Sequence, residues 1–185
     1  MIIKDGTGTG KTLSITAENR ARTDTVTRSL TQHINEEYEK HFSLTFDAID
    51  PVGADDYFFY IKNTGTKTIH ATKFRFRSTV AGSVELHRVT GTASFASETV
   101  ITPVNRTLGS TNTVTAVTSA DTNTTGISEA GIMLRMRLAV VDTDYVDEAP
   151  SHIIIPPGQA MACLWDTATG ALSGTIDIYE DQGIL

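Results

Sequence analysis

The sequence predicts an all-β protein: an antiparallel β-sandwich of jelly-roll type with an extended N-terminal arm and one short helix. Three observations predict it. Thirty of the 185 residues are threonine, a β-branched enrichment that suits pleated, half-buried chain. Roughly eight runs alternate apolar and polar side chains with the period of two required by a strand facing one core. No helical patterns separate these runs, which argues against the βαβ layout of a parallel sheet.

Residues 1–28 are polar, rich in Thr, Gly and Arg, and almost without aromatic side chains. They read as an arm rather than part of a core. Ser29-Leu30-Thr31-Gln32 resembles a capping box, and Leu30, Ile34, Tyr38 and Phe42 fall four apart on one stripe. That spacing predicts a short helix over about residues 30–40, docked through the stripe. The chain thus divides into an arm plus helix at 1–41 and a β-sandwich domain at 42–185.

From Phe42 onward strands dominate. Phe42, Leu44 and Phe46 alternate with His41, Ser43 and Thr45. The run Tyr57 to Ile61 is apolar on both faces and suits a central strand. Asn63-Thr64-Gly65-Thr66 makes a turn into Thr68 to Arg77, where Phe74 and Phe76 oppose Lys73, Arg75 and Arg77. Ile69 and Ala71 have the other parity, so a bulge is expected near Ala71–Lys73. Val84 and Leu86 oppose Glu85 and His87. Residues 103–130 are Ser/Thr/Asn-rich and weakly periodic, and read as a long loop or edge excursion. The longest alternation runs through Ile132, Leu134, Met136, Leu138 and Val140, with Arg135 and Arg137 on the opposite face. His152 to Ile155 stops at Pro156-Pro157-Gly158, a turn that feeds Gln159 to Trp165. Ile176 and Ile178 close the pattern.

Composition narrows the function classes. A net charge of −7 opposes direct nucleic-acid binding, which needs a basic excess to neutralise phosphates. The single cysteine, Cys163, forms no intrachain disulfide and no cysteine-rich zinc site. Between Ala162 and Leu164 it reads as a small core residue. The N-terminus has no secretory apolar core, and no stretch reaches the roughly 18 apolar residues of a membrane span. A soluble protein made in a reducing compartment is expected.

The opening Asp5-Gly6-Thr7-Gly8-Thr9-Gly10-Lys11-Thr12 imitates a phosphate-binding loop, but the imitation fails. Asp5 stands where the loop needs its first glycine, and its carboxylate would face the phosphates. Thr12 to Thr16 alternates polar and β-branched apolar residues, which favours extended chain over the helix that would present the anion site. No G-x-S-x-G occurs, and the five histidines (His33, His41, His70, His87, His152) sit in no catalytic motif. A two-histidine metal site would need His70 and His87 on paired strands. Asp142 to Glu148 resembles the start of a calcium loop, but Asp147 replaces its glycine and Ile153 its final glutamate. Paired carboxylates for glycoside hydrolysis have no linear signature, and no feature favours them. The expectation is a non-enzymatic protein without metal or cofactor.

Charge segregation is more informative. Lys73, Arg75, Arg77, Arg88, Arg135 and Arg137 lie on strand faces, whereas Asp142–Glu148 and Glu180-Asp181 are acidic. On an isolated monomer such patches are solvated faces worth little energetically, whereas in an assembling protein they set register and partner choice. Two candidate partner interfaces follow. One is the arm, through Asp5, Gly6, Gly8, Gly10, Asn19, Arg20 and Arg22. The other is a basic strand face formed by Arg75, Arg77, Arg135 and Arg137.

Several short segments occur in a familiar order. These are Ile3 to Gly10 followed by Asn19-Arg20, then Tyr60-Ile61-Lys62-Asn63, Asn105-Arg106-Thr107-Leu108-Gly109-Ser110-Thr111-Asn112, and Ile155-Pro156-Pro157-Gly158-Gln159. Together they resemble a group of small virion structural proteins of tailed bacteriophages. The chain departs from that pattern at Ala21, where leucine is usual after arginine, and at Arg106, which interrupts the Asn-rich turn. The resemblance implies a shell or tail component, often a trimeric β-sandwich with arms reaching neighbouring subunits. The first expectation is therefore a capsid cement, or decoration, protein of the virion, assembled in the host cytoplasm as a homotrimer and bound to the major capsid protein or another virion protein. The alternative is a carbohydrate- or receptor-binding module of a tail, fibre or head fibre, which would need exposed aromatics. Trp165 is the only tryptophan.

Overall fold

The computed structural model describes residues 38–147 and 153–181, together with the backbone of the pairs Ile3–Lys4 and Thr12–Leu13. The strands are β1 (Ile3–Lys4), β2 (Thr12–Leu13), β3 (His41–Ile49), β4 (Asp56–Asn63), β5 (Ile69–Ser78), β6 (Gly82–Ser94), β7 (Thr99–Val100), β8 (Val104–Asn105) and β9 (Ala116–Ala120). They continue with β10 (Thr125–Leu138), β11 (Tyr145–Asp147), β12 (Ile153–Ile155), β13 (Ala160–Trp165) and β14 (Leu172–Glu180). Contacts divide the chain into two units, Met1–Leu30 and Thr31–Leu185. In the first, β1 and β2 pair antiparallel, Ile3 opposite Leu13. Thr12–Leu13 is therefore extended, where a phosphate-binding loop would have begun a helix.

The second unit is an all-β sandwich of two antiparallel sheets packed against each other. One sheet runs β10-β6-β13-β4-β9-β7, and the other β11-β5-β14-β3-β8 with β12 also on β5. Setting aside the short β7, β8 and β9, the pairing is nested. The first strand, β3, pairs with the last, β14, and β4 pairs with β13. Next, β5 pairs with β11 and β12, and β6 with β10. The chain is in effect one long hairpin rolled into two layers, which is the topology of a jelly roll. The three short strands are an insertion between β6 and β10; of the weakly periodic segment 103–130, β8 and β9 belong to this insertion, but residues 125–130 are the start of β10 rather than loop.

The core forms where the inward rows of both sheets meet. Phe46 of β3 lies 5.8 and 5.5 Å, centroid to centroid, from Phe58 and Phe59 of the opposite sheet, and 6.2 Å from Phe76 of its own. Trp165 is fully buried, and its indole N–H donates to the Thr169 carbonyl at 3.1 Å. Cys163 is likewise fully buried in this core, and burial pushes its thiol far above the usual range. The second apolar face of Tyr57–Ile61 also has cover: Tyr60, Val89 and Ala162 form an outer cluster against Phe95.

Register explains where side chains change faces. On β14, Asp177 pairs with Lys73 and Ile178 with Ala71. Thr72 is therefore the extra residue, and the expected bulge sits there, with its hydroxyl donating to the Asp177 carbonyl at 3.3 Å. The long alternation of β10 needs correction. A register shift between Ile132 and Leu134 leaves Ile132 and Met133 exposed, and Val140 lies beyond the strand and is exposed. Only Leu134, Met136 and Leu138 of that run turn inward. The helical stripe is also shortened: Phe42 is a fully buried strand residue of β3, because its backbone pairs with Ile178 and Asn105. Leu30 and Ile34 lie outside the described residues.

Candidate functional site

The outer face of the β11-β5-β14-β3-β8 sheet carries a polar trough. Its floor is the central strand β14, which turns Ser173, Thr175 and Asp177 outward. Gly174, between them, faces the core. A side chain there would meet the Arg75 carbonyl at 2.6 Å and the Phe46 ring at 2.7 Å, so only glycine lets β14 lie this close to its neighbours. One wall is the column Lys73, Arg75 and Arg77 that the bulge at Thr72 brings to this face. The other wall is Ser43, Thr45 and Asp47 of β3, with Arg106 from the chain beyond β8. Two adjoining cavities of about 220 and 320 Å³ share Arg75 and Thr175.

Asp177 anchors the trough. Its carboxylate accepts from Ser43 Oγ at 2.6 Å and pairs with Arg106 Nη1 at 2.8 Å. Arg106 is held in place by the turn that carries it. Its N–H donates to the His41 carbonyl at 2.9 Å, Asn105 Oδ1 accepts from the Thr107 N–H at 2.8 Å, and Asn105 Nδ2 donates to the Glu39 carbonyl at 2.7 Å. Asp47 accepts from Ser173 Oγ at the other end. Arg75 and Arg77 are exposed, and neither makes an ion pair or side-chain hydrogen bond with a described residue.

His41 borders this site and is buried, with Nε2 unpartnered among the described residues. Burial is the main reason its pKa falls from 6.5 to about 4; Arg106 adds to the fall, and Asp177 opposes it. A histidine kept neutral in the fold but free to protonate when unfolded contributes fully above pH 6.5, and that contribution is lost as pH falls toward about 4. Relative to His41→Gln, the wild-type protein should lose about 1–2 kcal/mol across that window, after allowance for solvent screening. Urea unfolding at a series of pH values checks this; parallel pH profiles for the two proteins would rule it out.

The four arginines expected to form one basic face do not share a surface. Arg75 and Arg77 line the trough, whereas Arg135 and Arg137 lie on β10, in the other sheet. Arg135 is engaged there, with Nη2 2.5 Å from Glu85 Oε1. Glu85 also lies 3.0 Å from Nε2 of the buried His87, whose Nδ1 lies 3.3 Å from the Tyr57 hydroxyl and 3.6 Å from Glu129. Burial first, then Glu129 and Glu85, raises the Tyr57 phenol above its usual range. Every member of this cluster has a partner and His87 is closed to solvent, so it acts as a brace for the sheet.

Other expectations are placed as follows. His70 and His87 are on different sheets and are not neighbours; His70 stacks on Tyr179 with centroids 4.6 Å apart. Asp144 of the acidic run lines the trough, in the same cavity as Arg77. No group of three His, Cys, Asp or Glu side chains with metal-holding geometry occurs among the described residues. The arm residues Asp5, Gly6, Gly8, Gly10, Asn19, Arg20 and Arg22 lie outside the described residues, as do His33 and His152. Sequence reasoning missed Arg106 and Asp177: 71 residues apart, they carry no joint signal until the roll sets β3 between β8 and β14. Comparison of the chain with protein-family models, curated proteins and solved structures finds no match.

Proposed function

We propose that the protein is a non-enzymatic virion structural component of a tailed bacteriophage, and specifically a capsid cement protein. In this reading a trimer of sandwiches sits on the shell, and the N-terminal arm is laid across the major capsid protein. The observation that carries the proposal is that the sandwich takes every strand from His41 onward, while Met1–Leu30 segregates as a unit of its own. The strand pair described in that unit is two residues long on each side, and isolated two-stranded ribbons are marginal in water. Ordering such a glycine-rich segment costs roughly 1–2 kcal/mol per residue, which a partner surface can offset through main-chain hydrogen bonds. The glycan-binding alternative loses its best platform, because Trp165 is buried.

The test is deletion of residues 2–28, followed by sedimentation with capsid shells and by the solution mass of the free protein. Full-length protein is expected to sediment with shells and to be trimeric when free, with shell binding lost on deletion. Undiminished shell binding by the shortened protein, or a monomer that binds a glycan array, refutes the proposal.

A further inference from the structure

We infer that the trough on the β3-β14-β5 face is a docking site for an extended acidic segment of a partner protein. The inference deepens the structural-protein reading by naming the partner's chemistry, and it rests on that reading only for which protein supplies the segment.

Charge complementarity chooses the ligand. Lys73, Arg75, Arg77 and Arg106 face three carboxylates, Asp47, Asp144 and Asp177, across the two cavities. What decides the charge open to a ligand, in a protein of net charge −7, is which of these groups are already paired. Asp177 is already committed to Arg106 and Ser43, and Asp47 to Ser173. Arg75 and Arg77 remain with guanidinium groups unmatched among the described residues.

Geometry narrows the ligand to extended polypeptide. Arg75 and Arg77 stand two residues apart on one strand face, roughly 6.5–7 Å by strand rise. That is the repeat of alternate side chains on an extended segment lying along β5, so carboxylates at alternate positions meet successive guanidiniums. The Thr45 and Thr175 hydroxyls lie 3.3 Å apart, and whichever accepts that bond keeps its own O–H for a backbone carbonyl of the partner. A free phosphate calls for donors converging on one point; Arg106, across the smaller cavity from Arg75, is already paired with Asp177, and the unmatched Arg75 and Arg77 are strung along a strand. The chain's own Asp144 lines the same cavity as Arg77 without forming an ion pair with it, so the guanidinium stays available.

The experiment uses the purified full chain and no particles, so its outcome is separate from that of shell binding. A fluorescent peptide alternating glutamate and threonine is titrated by anisotropy at low salt, against the wild-type protein, Arg75→Ser/Arg77→Ser and Arg137→Ser. Thermal unfolding confirms that each variant is folded, and Arg77→Glu serves as a second trough variant. The expected result is saturable binding that weakens roughly tenfold in both trough variants, is unchanged in Arg137→Ser, and falls with added salt. Absence of binding, or equal binding by the trough variants, overturns the inference. So does a sulfated oligosaccharide or inorganic phosphate that binds more tightly than the peptide. Wild-type self-association that the trough variants abolish would assign the face to a second copy instead, and also overturns it.

Discussion

Replacing Phe46 with alanine is expected to lower the unfolding free energy by about 3–5 kcal/mol. The ring touches the aromatic row of both layers: Phe58 and Phe59 across the sandwich, and Phe76 alongside it. It also fills the space against which Gly174 is packed. Removal therefore takes away apolar contact and opens a cavity where two sheets, rather than one, must relax. For a domain whose total stability lies near 5–15 kcal/mol, that loss is a large fraction. Guanidinium unfolding measures it, with Phe46→Leu as a milder comparison. A loss under about 1 kcal/mol would show that the sheets can close over the gap and that the ring does not join them.

Asn63→Ala is expected to cost about 3 kcal/mol, without removing any apolar contact. Asn63 is fully buried at the end of β4. Its Nδ2 donates to the Lys67 carbonyl at 2.7 Å and the Ile155 carbonyl at 2.8 Å, and its Oδ1 accepts from the Gly65 N–H at 3.0 Å. Alanine leaves all three backbone groups without that partner, each at a desolvation cost of about 1–3 kcal/mol, partly recovered by entering water. Asn63→Asp keeps the bond from Gly65 but loses both donated bonds and buries a charge, so it should be at least as damaging. Amide exchange reads the effect locally: Gly65 should lose protection in Asn63→Ala and retain it in Asn63→Asp. Protection at Gly65 that is the same in all three proteins would show that the side chain is not what holds the turn.

Asn63 also explains what the recurring short motifs report. The Tyr60–Asn63 and Ile155–Gln159 segments are 92 residues apart yet meet at this side chain, with the Gly158 N–H donating to the Asn63 carbonyl and the Asn63 N–H to that of Gln159. The Asn105–Asn112 segment is likewise a turn closed by Asn105. Such motifs are legible because turn chemistry is local. They speak for the architecture and leave the partner to be found by other means.

The strands were legible for the same reason. Alternation in β3 and β5 is set by one buried face and the double-sided run of β4 by two, while β6 alternates because its second buried face carries the paired polar side chains Glu85 and His87. The nested order was not legible residue by residue, since it depends on which alternating faces find each other across most of the chain. Nor was the slip in β10, where one extra residue at Met133 moves Ile132 off the core face without disturbing composition. For the candidate site, the β5 cations were visible as a column. Their separation from Arg135 and Arg137 followed only from assigning β5 and β10 to different layers.

The rolled pairing has a consequence for how the protein is made. In both layers the central strand is one of the last two of the sandwich: β13 lies between β6 and β4, and β14 between β5 and β3. Until Ala160–Trp165 and Leu172–Glu180 have been synthesised, β3, β4, β5 and β6 each lack the central one of their neighbours. The nascent polypeptide must therefore carry Phe42, Phe58, Phe59 and Phe74 incompletely covered until those two segments emerge, and closing such distant pairs slows folding more than it weakens the product. A ribosome that stops short of Leu172 releases a second sheet split down its middle, with β3 and β5 left as raw edges open to other chains.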